Sequence, residues 1–455
     1  MEEIKIASVL TTIALVLIAV LLFELIIFIH EFGHFITAKK SGIKVNEFSL
    51  GMGPKILSFG KGETKYSLRI FPIGGFCAME GEDEDSPEPR AFNNAKIWKR
   101  MIVIVAGAVM NIILGLLLMF VIVVQQDAYG STTVSDFPVS SFSANSGLEK
   151  GDVIKEIDGY GISNSMDFNY PISTSELKEV KGDSLEIYKE DCCNYLFRQA
   201  ATLVQNDENI PQKTLDEINA LISTGATEIN AVKDKNSAKE LYYEYSKSLY
   251  ELCKVKDYKI EEIEVKETRQ RYVADVLVDR KGEEVLLKDV QFFTYLSPDE
   301  EKPMVSMDFY VEPIEKTVGS VISQTFKQTI STCKLVYASL GGLFSGKIGF
   351  NEMSGPIGIA STVTKVASES LETSFMSAVN SIIYVMMIIT VNLGLFNMLP
   401  FPALDGGRFV FLIIEAIRGK SVPRKVEGIV NGVGMALLIL LMVVIAFNDV
   451  FKLLG

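Results

Sequence analysis

Histidine is nearly absent from this chain: two occur in 455 residues, His30 and His34. A centre built from three imidazoles is therefore excluded, and a metal site here must complete its ligand set with a carboxylate or a thiolate. Cysteine is also sparse. Cys77, Cys192, Cys193, Cys253 and Cys333 fall in no metal-ligand spacing, which excludes a thiolate-rich zinc module and a disulfide-dense scaffold. A bridge from Cys192 or Cys193 to Cys253 is permitted but not required. Basic residues are in deficit, with a net charge of −13, which argues against nucleic acid as a partner. The chain opens Met1-Glu2-Glu3, without the basic region and small-residue cleavage site of a signal peptide, so its first apolar run is expected to stay in place. Internal repeats and low-complexity tracts are missing as well.

What the chain has instead is apolar length. Hydrophobic residues make up 48% of it and the mean hydropathy is positive, so a wholly soluble protein is not expected. An apolar run spans Ala7–Ile29, and Met101–Gln126, Thr373–Leu404 and Gly428–Asn448 are free of charge. Each reaches the roughly 20 residues that a bilayer-crossing helix needs. The expected fold class is a multi-pass α-helical membrane protein of about four transmembrane helices, near 7–38, 101–126, 375–399 and 428–448. Glu24 interrupts the first. It should look toward protein or a wet cavity, two turns from Glu31, or sit hydrogen-bonded between helices. Basic residues cluster after the first span, from Lys39 to Arg100, and between the third and fourth, from Arg408 to Lys425. By the positive-inside rule these segments are cytoplasmic, which puts both termini and the segment Asp127–Glu372 outside.

The two histidines belong to one motif, His30-Glu31-Phe32-Gly33-His34. Four residues apart on a helix, both imidazoles share a face. That is the spacing of a zinc site in which the intervening glutamate, Glu31, acts as general base on a metal-bound water. The third ligand is best supplied by Asp405, in Leu404-Asp405-Gly406, where a carboxylate ends an otherwise charge-free run beside helix-breaking Pro400, Pro402, Gly406 and Gly407. The competing reading makes Asp405 the N-cap of a helix over Gly406–Ile417.

Between the first two spans, residues 45–80 read as a β-hairpin. Short strands Val45–Leu50 and Thr64–Ile70 are separated by turns at Gly51, Gly53, Gly60 and Gly62, and Phe71–Phe76 is apolar but not helical. Such a hairpin either dips in beside the metal, offering a strand edge to an extended substrate, or is an ordinary surface hairpin. Gly81–Pro89 is acidic and reads as a mobile loop. Residues 127–315 should form an extracytosolic α+β domain, with a helical insertion at about 190–268 marked by periodicity at Thr214–Ile222 and Ala238–Val255. The insertion decorates the surface or contacts a partner. In 316–372, Val318–Phe344 is mildly amphipathic and reads as a helix on the outer membrane surface, or packed on the outer domain, followed by a linker. Residues 1–126 and 373–455 then form the two parts of the membrane core.

The motifs carry a resemblance. Ser146-Gly147-Leu148, Gly151-Asp152-Val153-Ile154 and Ile157-Asp158-Gly159 resemble the PDZ domain attached to bacterial proteases. The chain as a whole resembles the site-2 proteases, intramembrane zinc metalloproteases, and most of all the bacterial branch that processes anti-sigma factors. The likeness rests on the histidine motif, Gly51-Met52-Gly53-Pro54-Lys55, Phe71–Phe76, Phe92-Asn93-Asn94, Ser354–Ile359, Asn397-Met398-Leu399-Pro400 and Leu404–Gly407. It implies that His30, His34 and Asp405 bind Zn2+, that Glu31 activates water, and that Asn397 engages substrate or stabilises the oxyanion. Substrate contacts would come from Gly74, Gly75, Asn111, Pro400 and Pro402. The implied substrates are transmembrane segments in the lipid bilayer, of anti-sigma factors or remnant signal peptides, some already cut by a site-1 protease. The PDZ domain would act as a size filter or bind a new C-terminus. One departure is Ala106-Gly107-Ala108-Val109-Met110-Asn111, which lacks the family's proline after the glycine. Two rivals remain at this stage: a non-catalytic membrane PDZ scaffold with a structural metal, against which the retained Glu31 speaks, and a transporter, against which the scarcity of intramembrane charge speaks.

Overall fold

The structure, a computed structural model, describes residues 2–454 apart from 61, 83, 139–140, 206–209, 256–257, 296–303, 347–348 and 350–354. Ser354, singled out above, lies outside the described residues. The chain divides into two compact units, Met1–Asp127 with Lys316–Gly455, and Ala128–Glu315.

The first unit begins with α1 (Glu2–Ser41), an antiparallel hairpin of β1 (Val45–Phe59) and β2 (Lys65–Met79), and α2 (Ile97–Gln125). The strands are far longer than the short segments expected. Gly51, Gly53 and Gly74 do not make turns: they sit inside the strands with φ of 78°, 86° and 94°, where the ladder shifts register. Glycine tolerates that left-handed backbone, so the strand bulges and continues. One end of the hairpin is fixed by a core of Ala38, Ile43, Val45, Phe48, Cys77, Phe92 and Val103. Farther out, Met52, Ile56, Leu57, Phe59, Ile70 and Phe71 are exposed. The acidic stretch after it is tied down rather than loose: Glu82 pairs with Arg408, and Arg424 reaches Asp85 at 3.2 Å and the Glu82 carbonyl at 2.8 Å.

The second unit is a mixed layer of strands and helices: β3 (Ala128–Asp136), α3 (Phe142–Asn145), β4 (Val153–Ile157), β5 (Tyr160–Gly161), α4 (Asn169–Ser173), β6 (Glu176–Lys181), α5 (Ser184–Gln205), α6 (Gln212–Ala231), α7 (Lys235–Leu252), β7 (Thr268–Arg280), β8 (Glu283–Tyr295), β9 (Met304–Ser306) and β10 (Tyr310–Glu315). The sheet runs β10-β3-β4-β7-β8-β9, with β5 on β4 and β6 on β7, every pair antiparallel. Asp158-Gly159, with φ of 48° and 74°, makes the tight β4–β5 turn. Val134, Ile154, Ile157, Phe168, Val276 and Phe292 fill its core. Helices α5–α7 have a separate core of Tyr188, Cys192, Leu196, Ile218, Tyr242 and Leu249.

Helix α5 was not apparent from periodicity because charged side chains lie on its inner face. Glu190 is buried and accepts from both η nitrogens of Arg271, whose guanidinium lies 3.7 Å from the Phe142 ring centre, while Asp191 pairs with Arg269. Glu190→Leu should strand the Arg271 charge at a cost of about 3–5 kcal/mol. The expected result is faster proteolysis of residues 184–268 in the full-length protein; an unchanged digestion rate would contradict it.

The chain then returns to the first unit with α8 (Val318–Ser345), α9 (Pro356–Thr373), α10 (Phe375–Asn397), α11 (Asp405–Arg418) and α12 (Arg424–Leu454). Helix α8 packs on α2 and α10. It buries Gln324, Thr325, Gln328 and Thr329 and exposes Val318, Ile322, Phe326 and Ile330. The expected linker is in part a helix, α9, whose N-terminus is capped from α12: Asp449 accepts from the backbone N–H groups of Gly355 and Gly358 at 2.8–3.2 Å. Four helices among the described residues are long and apolar enough to cross a membrane, Ala14–Ser41, Ile97–Gln125, Phe375–Asn397 and Arg424–Lys452, in the number expected. Helix α2 sits between α1 and α10 through small residues. A Cβ on Gly33 would stand 2.5 Å from the Ala106 carbonyl oxygen, and one on Gly115 would stand 2.5 Å from Val391 Cγ2.

Candidate metal centre

His30 and His34 lie on one face of α1, both buried, with ring centres 4.9 Å apart. His34 Nδ1–H donates to the Val103 carbonyl of α2 at 2.8 Å. That bond fixes the tautomer and leaves Nε2 as an inward lone pair. The two Nε2 atoms are 3.2 Å apart. Asp405 Oδ2 stands 3.3 Å from His30 Nε2 and 3.4 Å from His34 Nε2, yet has no hydrogen bond of acceptable geometry.

A tight reversal of the chain delivers this carboxylate. After α10 ends, Ala403 has φ of 74° and its N–H donates to Asn431 Oδ1 of α12 at 3.3 Å. Gly406 and Gly407 allow the fold-back: a Cβ on the first would overlap the Leu399 carbonyl oxygen, and on the second the Phe401 carbonyl oxygen. Asp405 is the first residue of α11, but the N-cap is Leu404 and no side chain caps the helix. Its carboxylate turns to the imidazoles instead. Burial alone would raise the Asp405 carboxyl, and the two adjacent imidazoles, when protonated, draw it below the usual carboxylate range.

The donor set fits zinc. Ligands about 2.0–2.1 Å from a tetrahedral ion stand about 3.3–3.4 Å from one another, and three converging electron-pair donors at 3.2, 3.3 and 3.4 Å match those edges. Among the described residues no other group of three His, Cys, Asp or Glu converges this way. Three such donors would leave a fourth position for water, as in catalytic rather than structural zinc sites.

The remaining expected site residues divide. Glu31 is half-buried on α1 against the hairpin, where a Cβ on Gly75 would stand 3.5 Å from Glu31 Cγ. Asn397 Nδ2, at the end of α10, is 3.4 Å from His30 Nε2. Asn111 is fully buried and meets His30 rather than an open channel, with Nδ2 3.2 Å from His30 Nδ1. Gly74 faces the Met52 side chain, Pro400 is exposed, and Pro402 packs on Gly434 of α12; none of the three touches the ligand atoms. Glu24 is buried with neither carboxylate oxygen hydrogen-bonded. No disulfide joins any two of the five cysteines, all of which are among the described residues.

Two contributors were not foreseen, Val103 and Gly107. A Cβ on Gly107 would overlap His34 Nε2 and stand 2.8 Å from His30 Nε2. Positions 103, 107 and 111 share a helix face at the spacing of the histidines, but a main-chain carbonyl and a missing Cβ carry no side-chain signal in the sequence. Gly107→Ala should weaken zinc binding by about 10–100-fold, the usual cost of disturbing the groups around metal ligands. Chelator competition on the folded variant measures it, and wild-type affinity would refute the packing argument.

A family model described as peptidase family M50 matches residues 18–441. A Clostridium acetobutylicum protein bearing a zinc metalloprotease name is 29% identical over 436 residues, spanning 96% of this chain and 97% of its own length. Zinc metalloprotease RasP of Geobacillus kaustophilus is 28% identical over 446 residues, at 95% and 97%. Regulator of sigma-W protease RasP of Bacillus subtilis is 27% identical over 450 residues, again at 95% and 97%.

Proposed function

The chain belongs to peptidase family M50 and is a zinc metalloprotease, and from that premise we propose that it cuts the transmembrane segments of single-span membrane proteins. Anti-sigma factors are the first candidates, because one relative is named for regulating sigma-W; remnant signal peptides share the same chemistry. The observation that carries the reading is the 3.2–3.4 Å convergence of His30 Nε2, His34 Nε2 and Asp405 Oδ2 beside Glu31.

In this reading His30, His34 and Asp405 hold the zinc. Bound zinc lowers the pKa of water toward neutrality and polarises the scissile carbonyl. Glu31, the next residue on α1, takes the water proton and passes it to the leaving amine. The Asn397 amide donates to the developing oxyanion. A helical substrate must first unwind, and the hairpin gives it a strand edge near Gly75 to pair with. A polar cavity of about 480 Å³ is lined by Glu82, Arg100, Arg408, Glu415, Arg424 and Asn431; none of the three metal-binding residues lines it.

The basic segments support an active site toward the cytoplasm, with both termini outside. The unit Ala128–Glu315 is then extracytosolic. Its Val153–Ile157 strand and Asp158-Gly159 turn support a PDZ-like domain that excludes substrates with bulky outer domains. Membrane proteomics of cells carrying wild type or Glu31→Gln tests the substrate class. Single-span fragments should accumulate in the variant; a variant that instead accumulates only soluble proteins would refute it.

A further inference from the structure

We infer that Asn111 is a positioning residue: its side-chain amide oxygen accepts from His30 Nδ1–H and so fixes the imidazole with its Nε2 lone pair toward the metal. The inference rests on His30 being a zinc ligand, as proposed above.

Asn111 is fully buried in α2, a helix apolar enough to cross a membrane. A side-chain amide there is retained at a cost unless it is hydrogen-bonded. The nitrogen faces His30 Nδ1 at 3.2 Å, while Oδ1 is buried with no partner. In that orientation the amide N–H donates to Nδ1, which obliges the neutral ring to carry its proton on Nε2, the atom turned to His34 and Asp405. A protonated Nε2 cannot bind a metal. Once Nε2 is a ligand, Nδ1 carries the proton and two donors would face each other. The amide oxygen and nitrogen have nearly the same shape, and the hydrogen-bond partners decide which is which. Exchanging them turns the clash into an N–H···O bond and leaves the amide nitrogen in the buried position that has no partner, so the assignment rests on the His30 contact.

The rest of α2 supports this assignment. His34 is held in the same tautomer by the Val103 carbonyl. One face of α2, at 103, 107 and 111, therefore serves both imidazoles: a main-chain carbonyl for His34, a glycine whose missing Cβ leaves room for both rings, and a side-chain amide for His30. The Asn111 residue is itself braced, since its carbonyl accepts from Thr390 Oγ1 of α10 at 3.2 Å. Ligand histidines generally donate their second N–H to such an acceptor.

With only two histidines in the chain, nitrogen-15 labelling of histidine gives a spectrum in which each ring nitrogen is assignable. In purified metal-free protein, Asn111→Leu should let His30 relax into a tautomer mixture while His34 stays fixed, and should weaken zinc binding by about 10–100-fold in chelator competition. Asn111→Asp, which keeps an acceptor but has no amide N–H, should keep the His30 Nδ1–H tautomer. Wild-type tautomer and affinity in Asn111→Leu, or loss of the tautomer in folded Asn111→Asp, would overturn the inference. His30→Ala separates the two levels: if it retains full zinc affinity, the ligand assignment itself fails.

Discussion

Glu31→Gln is expected to abolish hydrolysis while leaving one zinc bound per chain. The substitution keeps the size of the side chain and its place against Gly75 of the hairpin. It removes only the carboxylate that can take a proton. Neither His30 nor His34 depends on Glu31 for its orientation, since their ring nitrogens bond to Asn111 and Val103. A positioned general base contributes about 10²–10⁴-fold to rate, so cleavage of a tagged single-span substrate in detergent should fall by at least that factor. Retained zinc with lost turnover separates catalysis from folding. A variant that still cuts at a tenth of the wild-type rate would assign the base elsewhere. Unchanged cellular function would favour the scaffold reading that the family assignment sets aside.

Asp405→Ala should do what Glu31→Gln does not, and release the metal. The carboxylate is one of three converging donors, and the other two sit on a single helix turn that cannot enclose an ion. Losing a direct ligand should therefore exceed the roughly 10–100-fold that disturbed neighbours of ligands cost. Helix α11 should survive, because the Asp405 side chain does not cap it. Asp405→Asn keeps the shape without the charge and should show an intermediate loss. Zinc content after dialysis, with thermal melting as the folding control, reads both variants. Wild-type zinc in folded Asp405→Ala would remove this residue from the site.

The centre was legible in the chain to the extent that its chemistry sits in side chains. Two histidines at helical spacing announce themselves, and counting ligands leads to a carboxylate across 371 residues of sequence, from His34 to Asp405. Val103 acts through its main-chain carbonyl and Gly107 through a missing Cβ, and neither leaves a side-chain signature. The hairpin was foreseen but too short, because a glycine bulge and a glycine turn look alike until the backbone is seen at Gly51, Gly53 and Gly74. Helix α5 was hidden by the charges at Glu190 and Asp191, which turn inward to Arg271 and Arg269. Helix α9 reads as linker in the sequence because its start is punctuated by Gly355 and Pro356, and its cap comes from Asp449, far away in sequence.

X-ray absorption at the zinc edge of the purified protein tests the central claim most directly. The account predicts one zinc per chain, bound only by nitrogen and oxygen at about 2.0–2.1 Å, with the outer-shell scattering of two imidazole rings. A protein without stoichiometric zinc, or a spectrum showing sulfur at about 2.3 Å, would contradict it.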